Sequence, residues 1–96
     1  MKYAIEFSVY AFETYDAITD QVENRWGSKI LNDFENRVIE VLTTIQISPF
    51  IYQAVDRDEN IRKCVIHHNC SVFYQIKEAE IEILFFWDNR QGPIFF

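Results

Sequence analysis

Ile61-Arg62-Lys63-Cys64-Val65-Ile66, Ser71-Val72-Phe73-Tyr74-Gln75-Ile76 and Ile81-Glu82-Ile83-Leu84-Phe85-Phe86-Trp87 are three short apolar runs in close succession. Each is rich in β-branched or aromatic side chains, which suit a pleated, half-buried surface. The breaks between them, His67-His68-Asn69 and Lys77-Glu78-Ala79-Glu80, are polar and only a few residues long, as hairpin connections are. The stretch from Asn60 to Pro93 therefore reads as a β-meander.

Working back toward the N-terminus, Tyr3-Ala4-Ile5-Glu6-Phe7 alternates apolar and polar residues and predicts a short strand, with Ser8 placed to cap a helix. A first helix is expected over about 9–26, with a core-facing stripe of Phe12, Tyr15, Ile18 or Ala17, Val22 and Trp26. Gly27 supplies the permissive backbone that ends it. Ser28 caps a second helix, whose stripe of Leu31, Phe34, Val38, Val41, Leu42 and Ile45 is the clearest helical period in the chain. Ser48-Pro49 stops it, because proline disfavours a helical residue before it and lacks an N–H. A loop is expected over about 50–59. Neither helical stripe can be hidden by the other helix alone, so the two are expected as a hairpin packed across one face of an antiparallel sheet. The fold class is α+β with the order β-α-α-β-β-β, and residues 1–96 form a single domain.

A chain of 96 residues must use its core efficiently, since small domains bury a smaller share of their surface. Hydrophobic residues make up 49% of it and aromatics 17%, against two Gly and two Pro, which argues against disorder. No apolar run reaches the roughly 20 residues needed to span a bilayer, and no secretory leader is recognisable, so a cytoplasmic location without membrane contact is expected. Cys64 and Cys70 fit that compartment as reduced, buried or half-buried thiols. The Cys-x2-His-His-x-Cys spacing matches no known zinc pattern, and no metal is expected.

Charge restrains function. Nine Lys+Arg against fifteen Asp+Glu give a net charge of −6, the wrong sign for a protein held on nucleic acid by long-range attraction. Arg57, Arg62, Lys63, Lys77 and Arg90 lie on or beside the meander, whereas acidic residues concentrate in the helical half, so the molecule is expected to be two-faced.

The order of these elements, with an opening strand ending in Phe7-Ser8, a helix closing on Glu23-Asn24-Arg25-Trp26-Gly27, a turn at Ser48-Pro49, Asn60-Ile61-Arg62-Lys63 leading into the meander, and the endings Phe73-Tyr74-Gln75-Ile76 and Asp88-Asn89-Arg90-Gln91-Gly92-Pro93, resembles the RelE/ParE family of bacterial toxins. The resemblance covers nearly the whole chain. It implies a type II toxin–antitoxin system in which a cognate antitoxin protein silences a growth-inhibiting, plasmid-stabilising toxin. No cofactor is implied, and DNA contact is expected only through the antitoxin.

RelE-like members are ribosome-dependent mRNA endoribonucleases, and ParE-like members poison DNA gyrase without a known catalytic act. Cutting RNA requires a proton acceptor for the 2′-hydroxyl and cations around the phosphate. Here the resemblance aligns Cys64 and Ser71 with positions where ribonucleases carry basic residues, and Phe95 and Phe96 stand where a tyrosine is expected. The ParE-like, binding reading is therefore favoured over enzymatic activity. The alternatives are the mRNA endonuclease, meeting ribosome and mRNA, and a non-toxic homologue serving as an antitoxin-binding or autorepression module.

Arg62, Lys63 and Arg90 have the best claim to bind a target or an anion, with Arg62 and Arg90 expected close together at the strand ends. Lys63 equally suits an edge charge that blocks strand pairing. His67 and His68, of the residue type whose unperturbed titration lies near neutrality, are the alternative general bases, although a solvated hairpin turn explains them too. Tyr74 is the alternative catalytic phenol, although a mid-strand aromatic is more often core. The apolar end Ile94-Phe95-Phe96 must pack on the domain or be covered by a partner.

Overall fold

The computed structural model describes residues 2–92 and 94. Strand β1 (Ala4–Phe7) is followed by a helical stretch Val9–Ile47, then β2 (Gln53–Asp56), β3 (Ile61–His67), β4 (Cys70–Ile76) and β5 (Glu80–Asp88). The helical stretch is broken at Gly27, whose φ of 87° and ψ of 177° lie in a region open to glycine. A straight helix of its 39 residues would be about 58 Å long. The longest dimension of the domain is 39 Å, so the chain folds back at Gly27 into a hairpin of α1 (9–26) and α2 (28–47). The rings of Tyr15 and Phe34, one from each arm, stack with centres 6.4 Å apart.

The sheet has the order β1-β5-β4-β3-β2. The meander β3-β4-β5 is antiparallel, as the sequence pattern predicts, but β1 pairs in parallel with β5. The sheet is thus mixed rather than antiparallel throughout, because the helical hairpin returns the chain far enough for β1 to be joined from the same direction. The segment expected as a loop over 50–59 instead holds a 3-10 turn, Pro49–Ile51, and the edge strand β2, paired with β3 through Gln53↔Lys63 and Ala54↔Arg62. The missed strand is short and carries little apolar alternation. No helix among the described residues is long and apolar enough to cross a membrane.

One face of the sheet carries the core. Val38, Val41 and Ile45 of α2 pack with Cys64, Val72, Tyr74, Ile81, Ile83 and Phe86. A bulge in β5 between the pairs Phe73↔Phe85 and Tyr74↔Ile83 leaves Leu84 as the extra residue. It lets Ile81, Ile83 and Phe86 all face the helices despite the three-residue step between the last two.

The α2 stripe lies where its period places it, with Leu31, Phe34 and Leu42 at the half-buried margin. The α1 stripe is rotated from expectation. Ala11 is buried, Tyr15, Ile18 and Val22 are half-buried, and Phe12 and Trp26 are 59% and 49% exposed. A hydrogen bond that Ser8 donates to β5 and one that Thr14 accepts from it set this rotation, and Phe12 turns to meet Phe7 at 5.6 Å. Both thiols, Cys64 and Cys70, are buried and free, and burial pushes Cys70 up to about 12. The expected covering of the apolar end falls on Phe95 and Phe96, outside the described residues; Ile94 is half-buried.

Because Ile45 is fully buried and Leu42 only half so, Ile45→Ala costs about 2–5 kcal/mol in urea unfolding and Leu42→Ala distinctly less. Tyr74→Phe strands the Pro49 carbonyl, which accepts the buried phenol O–H at 2.7 Å, and costs about 1–3 kcal/mol. Equal losses at positions 42 and 45, or a neutral Tyr74→Phe, would contradict this packing.

Candidate functional site

The N-terminus of α1 is fastened to β5. The Ser8 hydroxyl accepts the Ala11 N–H at 3.0 Å, as an N-cap, and donates to the Leu84 carbonyl, while the Ser8 N–H donates to the Ile83 carbonyl at 3.0 Å. Six residues on, the Thr14 hydroxyl accepts the Phe86 N–H at 2.9 Å. The last β1 pair is Phe7↔Ile83, so beyond it α1 completes the edge of β5. The helix therefore runs beside the second half of β5, and its far end meets the end of that strand.

A cleft of about 480 Å3 opens there, between the tip of the helical hairpin and the β3–β4 turn. Ile18, Val22, Trp26, Ile30 and Phe34 form its apolar wall. His67, His68, Asp88 and Arg90 form the polar one. Trp26 and Ile30, on the same wall, are 49% and 43% exposed. Arg90 follows β5 in a 3-10 turn, where its Nε and Nη2 clasp the Asp88 carboxylate at 3.0 and 2.7 Å. Nη2 also donates to the Gln21 side chain at 2.7 Å, tying the strand end to α1. That pairing holds the Asp88 carboxyl below the usual carboxylate range.

The rings of His67 and His68 lie 4.1 Å apart. Nδ1 of His67 accepts the Asn69 N–H at 3.3 Å, so a neutral ring carries its proton on Nε2. Partial burial and the neighbouring His68 push His67 below its ordinary value. Arg37 reaches the cleft wall from α2, donating to the Ile66 carbonyl at 3.2 Å and pairing with Glu40 at 3.3 Å.

The expected pair of Arg62 and Arg90 is not brought together. Arg62 lies opposite Tyr74, whereas Asp88, beside Arg90, lies opposite Cys70, four residues or about 14 Å along β4. Arg62 instead braces the turn before β2: its Nη1 donates to the Tyr52 and Phe50 carbonyls at 2.7 and 3.2 Å, and it lies 5.0 Å from the Phe50 ring centre. Lys63 stands on the face away from the helices, 5.9 Å from the Phe73 ring. Tyr74 is fully buried in the core, and burial raises its phenol, so it is neither accessible nor a ready proton acceptor. The structure thus gathers His67, His68 and Arg90 in one cleft and places Arg62, Lys63 and Tyr74 elsewhere. Among the described residues no group of three or more His, Cys, Asp or Glu is placed to hold a metal ion.

Gln21, Trp26, Arg37 and Asp88 were not singled out from sequence as site residues. They come from segments far apart in the chain, and the runs Asn24-Arg25-Trp26-Gly27 and Asp88-Asn89-Arg90, quoted for the resemblance, are the signals that touch them.

No protein-family model matches the chain, and no curated protein sequence does. Solved structures do. A chain of the chromosomal ParDE toxin–antitoxin system of P. aeruginosa superposes with a TM-score of 0.74 at 17% identity, covering 91% of this chain and 96% of that one. A chain of the E. coli DinJ-YafQ toxin–antitoxin complex gives 0.65 at 10% identity, covering 96% and 98%. The YoeB dimer from Staphylococcus aureus gives 0.59 at 15% identity, covering 88% and 94%. The chain therefore has the α+β fold of these solved structures.

Proposed function

We propose that the chain is the toxin of a type II toxin–antitoxin pair, ParE-like in acting by binding a macromolecular target such as DNA gyrase, and neutralised in the cytoplasm by a cognate antitoxin. The likeness to a chain of a ParDE system, nearly end to end on both sides, is the observation that carries this reading. The chemistry of the cleft supports binding over cutting. A ribonuclease needs an oriented proton acceptor beside free cations. Here Nδ1 of His67 is already accepting a backbone N–H, and the two carboxylates lining the cleft, Asp88 and Asp33, are paired with Arg90 and Lys29. The net charge of −6 adds a general repulsion toward RNA.

The mRNA endonuclease is the second reading, favoured by one observation: both histidines share a cleft with Arg90. A non-toxic antitoxin-binding module has the same fold requirements and differs only in lacking a target.

Expression of the chain alone should arrest growth and change DNA supercoiling while transcripts stay full length. Transcripts cut on induction, and left whole by His67→Ala with His68→Ala, would establish the nuclease instead. Normal growth on induction would favour the non-toxic module.

A second expectation concerns the histidine pair. Since His68 contributes to lowering His67, His68→Ala raises the His67 midpoint toward its ordinary value in an NMR titration of the ring Cε1–H signal. A midpoint unchanged or lowered would show that the rings do not interact as the geometry requires.

A further inference from the structure

The tip of the hairpin carries a second depression beside the cleft, lined by Gln21, Asn24, Arg25, Asp88, Arg90 and Gln91. Gln21, Asp88 and Arg90 belong to both, so the two form one continuous feature, apolar on one side of Arg90 and polar on the other. On the polar side a pair of guanidinium groups faces a single carboxylate. This is a local surplus of positive charge on a chain whose net charge is −6. Asp88 engages Nε and Nη2 of Arg90, and Nη1 has no partner among the described residues. Arg25 makes no ion pair with the described residues there; its guanidinium lies 5.7 Å from the Trp26 ring centre and so is held at the border with the apolar wall. Asp33, on the far side of the cleft, is paired with Lys29 at 3.6 Å.

Apolar depth next to a surplus guanidinium is complementary to a group that is apolar at one end and anionic at the other. Arginine forks favour carboxylates, and exposed Trp and Arg together are the side chains that most often anchor protein interfaces. We infer that the hairpin tip is a docking site for a peptide segment of a protein partner in which a large apolar side chain is followed directly by a carboxylate. The apolar side chain enters the cleft between Trp26, Ile30 and Phe34, and the carboxylate bridges Arg25 and Nη1 of Arg90. The inference rests on the reading that the chain works by binding protein partners, and it assigns to the Asn24-Arg25-Trp26 run a role that the fold alone does not require.

The test uses the intact chain and N-acetyl-leucyl-phenylalanine with a free carboxylate, compared with the same dipeptide as its C-terminal amide, followed by NMR. The acid should saturate shifts of the Trp26 indole N–H and of backbone amides in 21–26 and 88–91, with the amide binding about tenfold more weakly. Arg25→Gln, an exposed change outside the core, should remove most of that difference, and Arg90→Gln should do the same if it folds. Several outcomes would overturn the inference. They are no saturable shift at millimolar peptide, shifts confined to other surfaces, equal binding of acid and amide, or discrimination that survives Arg25→Gln. Inorganic phosphate shifting the same signals as strongly would overturn it in favour of a small-anion site. Concentration-dependent shifts there without peptide, with dimers in sedimentation, would overturn it in favour of a second copy of the chain as the occupant. The readout needs neither a host nor an antitoxin, so its failure leaves the toxin reading standing, and failure of toxicity leaves this result standing.

Discussion

Everything that positions the site depends on how α1 is fastened to the edge of β5. Past Phe7 there is no further strand to pair with β5 among the described residues, and bare edge groups left against a helix are costly. The Ser8 and Thr14 hydroxyls take that place. Two side-chain hydrogen bonds about one and two-thirds turns apart fix the rotation of the helix as well as its location. They send Ala11, Tyr15 and Ile18 to the sheet and leave Phe12 outside. The buried residue nearest the sheet in the first turns is an alanine, which lets the helix come close enough for Thr14 to reach the strand.

From that anchor the rest follows by length. α1 runs alongside the second half of β5, so Gly27 turns the chain beyond the strand end, and α2 returns over the core with Val38, Val41 and Ile45. No helical residue between Ala11 and Val38 is fully buried, so the hairpin tip adds no side chain to the centre of the core. Trp26 and Ile30 stay exposed there, while Gln21 meets the Arg90–Asp88 clasp coming from the strand. The cleft is thus a consequence of two elements of unequal reach, and its walls differ in character because one is helix stripe and the other strand terminus. Such a surface suits recognition. Its Arg90–Asp88 ion pair is bidentate and tied to Gln21, and among the described residues no carboxylate pairs with its histidines, the partner that makes an imidazole an effective base.

Much of this was legible in the sequence. The meander, the N-cap Ser8, the turn at Gly27, the stop at Ser48-Pro49 and the α2 stripe are local signals, each tied to a backbone preference or a period, and the structure has them all. What was not legible depends on partners distant in the chain. The α1 rotation follows hydrogen bonds to Leu84 and Phe86, more than seventy positions away, and periodicity alone favoured the larger Phe12 over Ala11. β2 is a strand because Arg62 and the β3 edge hold it, and nothing in Gln53-Ala54-Val55-Asp56 announces that. Arg62 lies in the meander and Arg90 just past its last strand, and register sets them about four residues apart along β4. The site was half visible: Arg90 and the two histidines stood out as charged or titratable residues, whereas Trp26 read as core because its neighbours follow a helical stripe that outlasts the sheet.

On the proposed reading, the chain works by presenting the hairpin tip and the end of β5 to a protein partner. Hydrogen–deuterium exchange of the chain, alone and with the protein encoded by the neighbouring reading frame, addresses it most directly. The account predicts a stable complex with slowed exchange in 18–34 and 88–91. A complex that protects only the outer edge of β2 or the face of Lys63, with the hairpin tip exchanging as in the free chain, would contradict it.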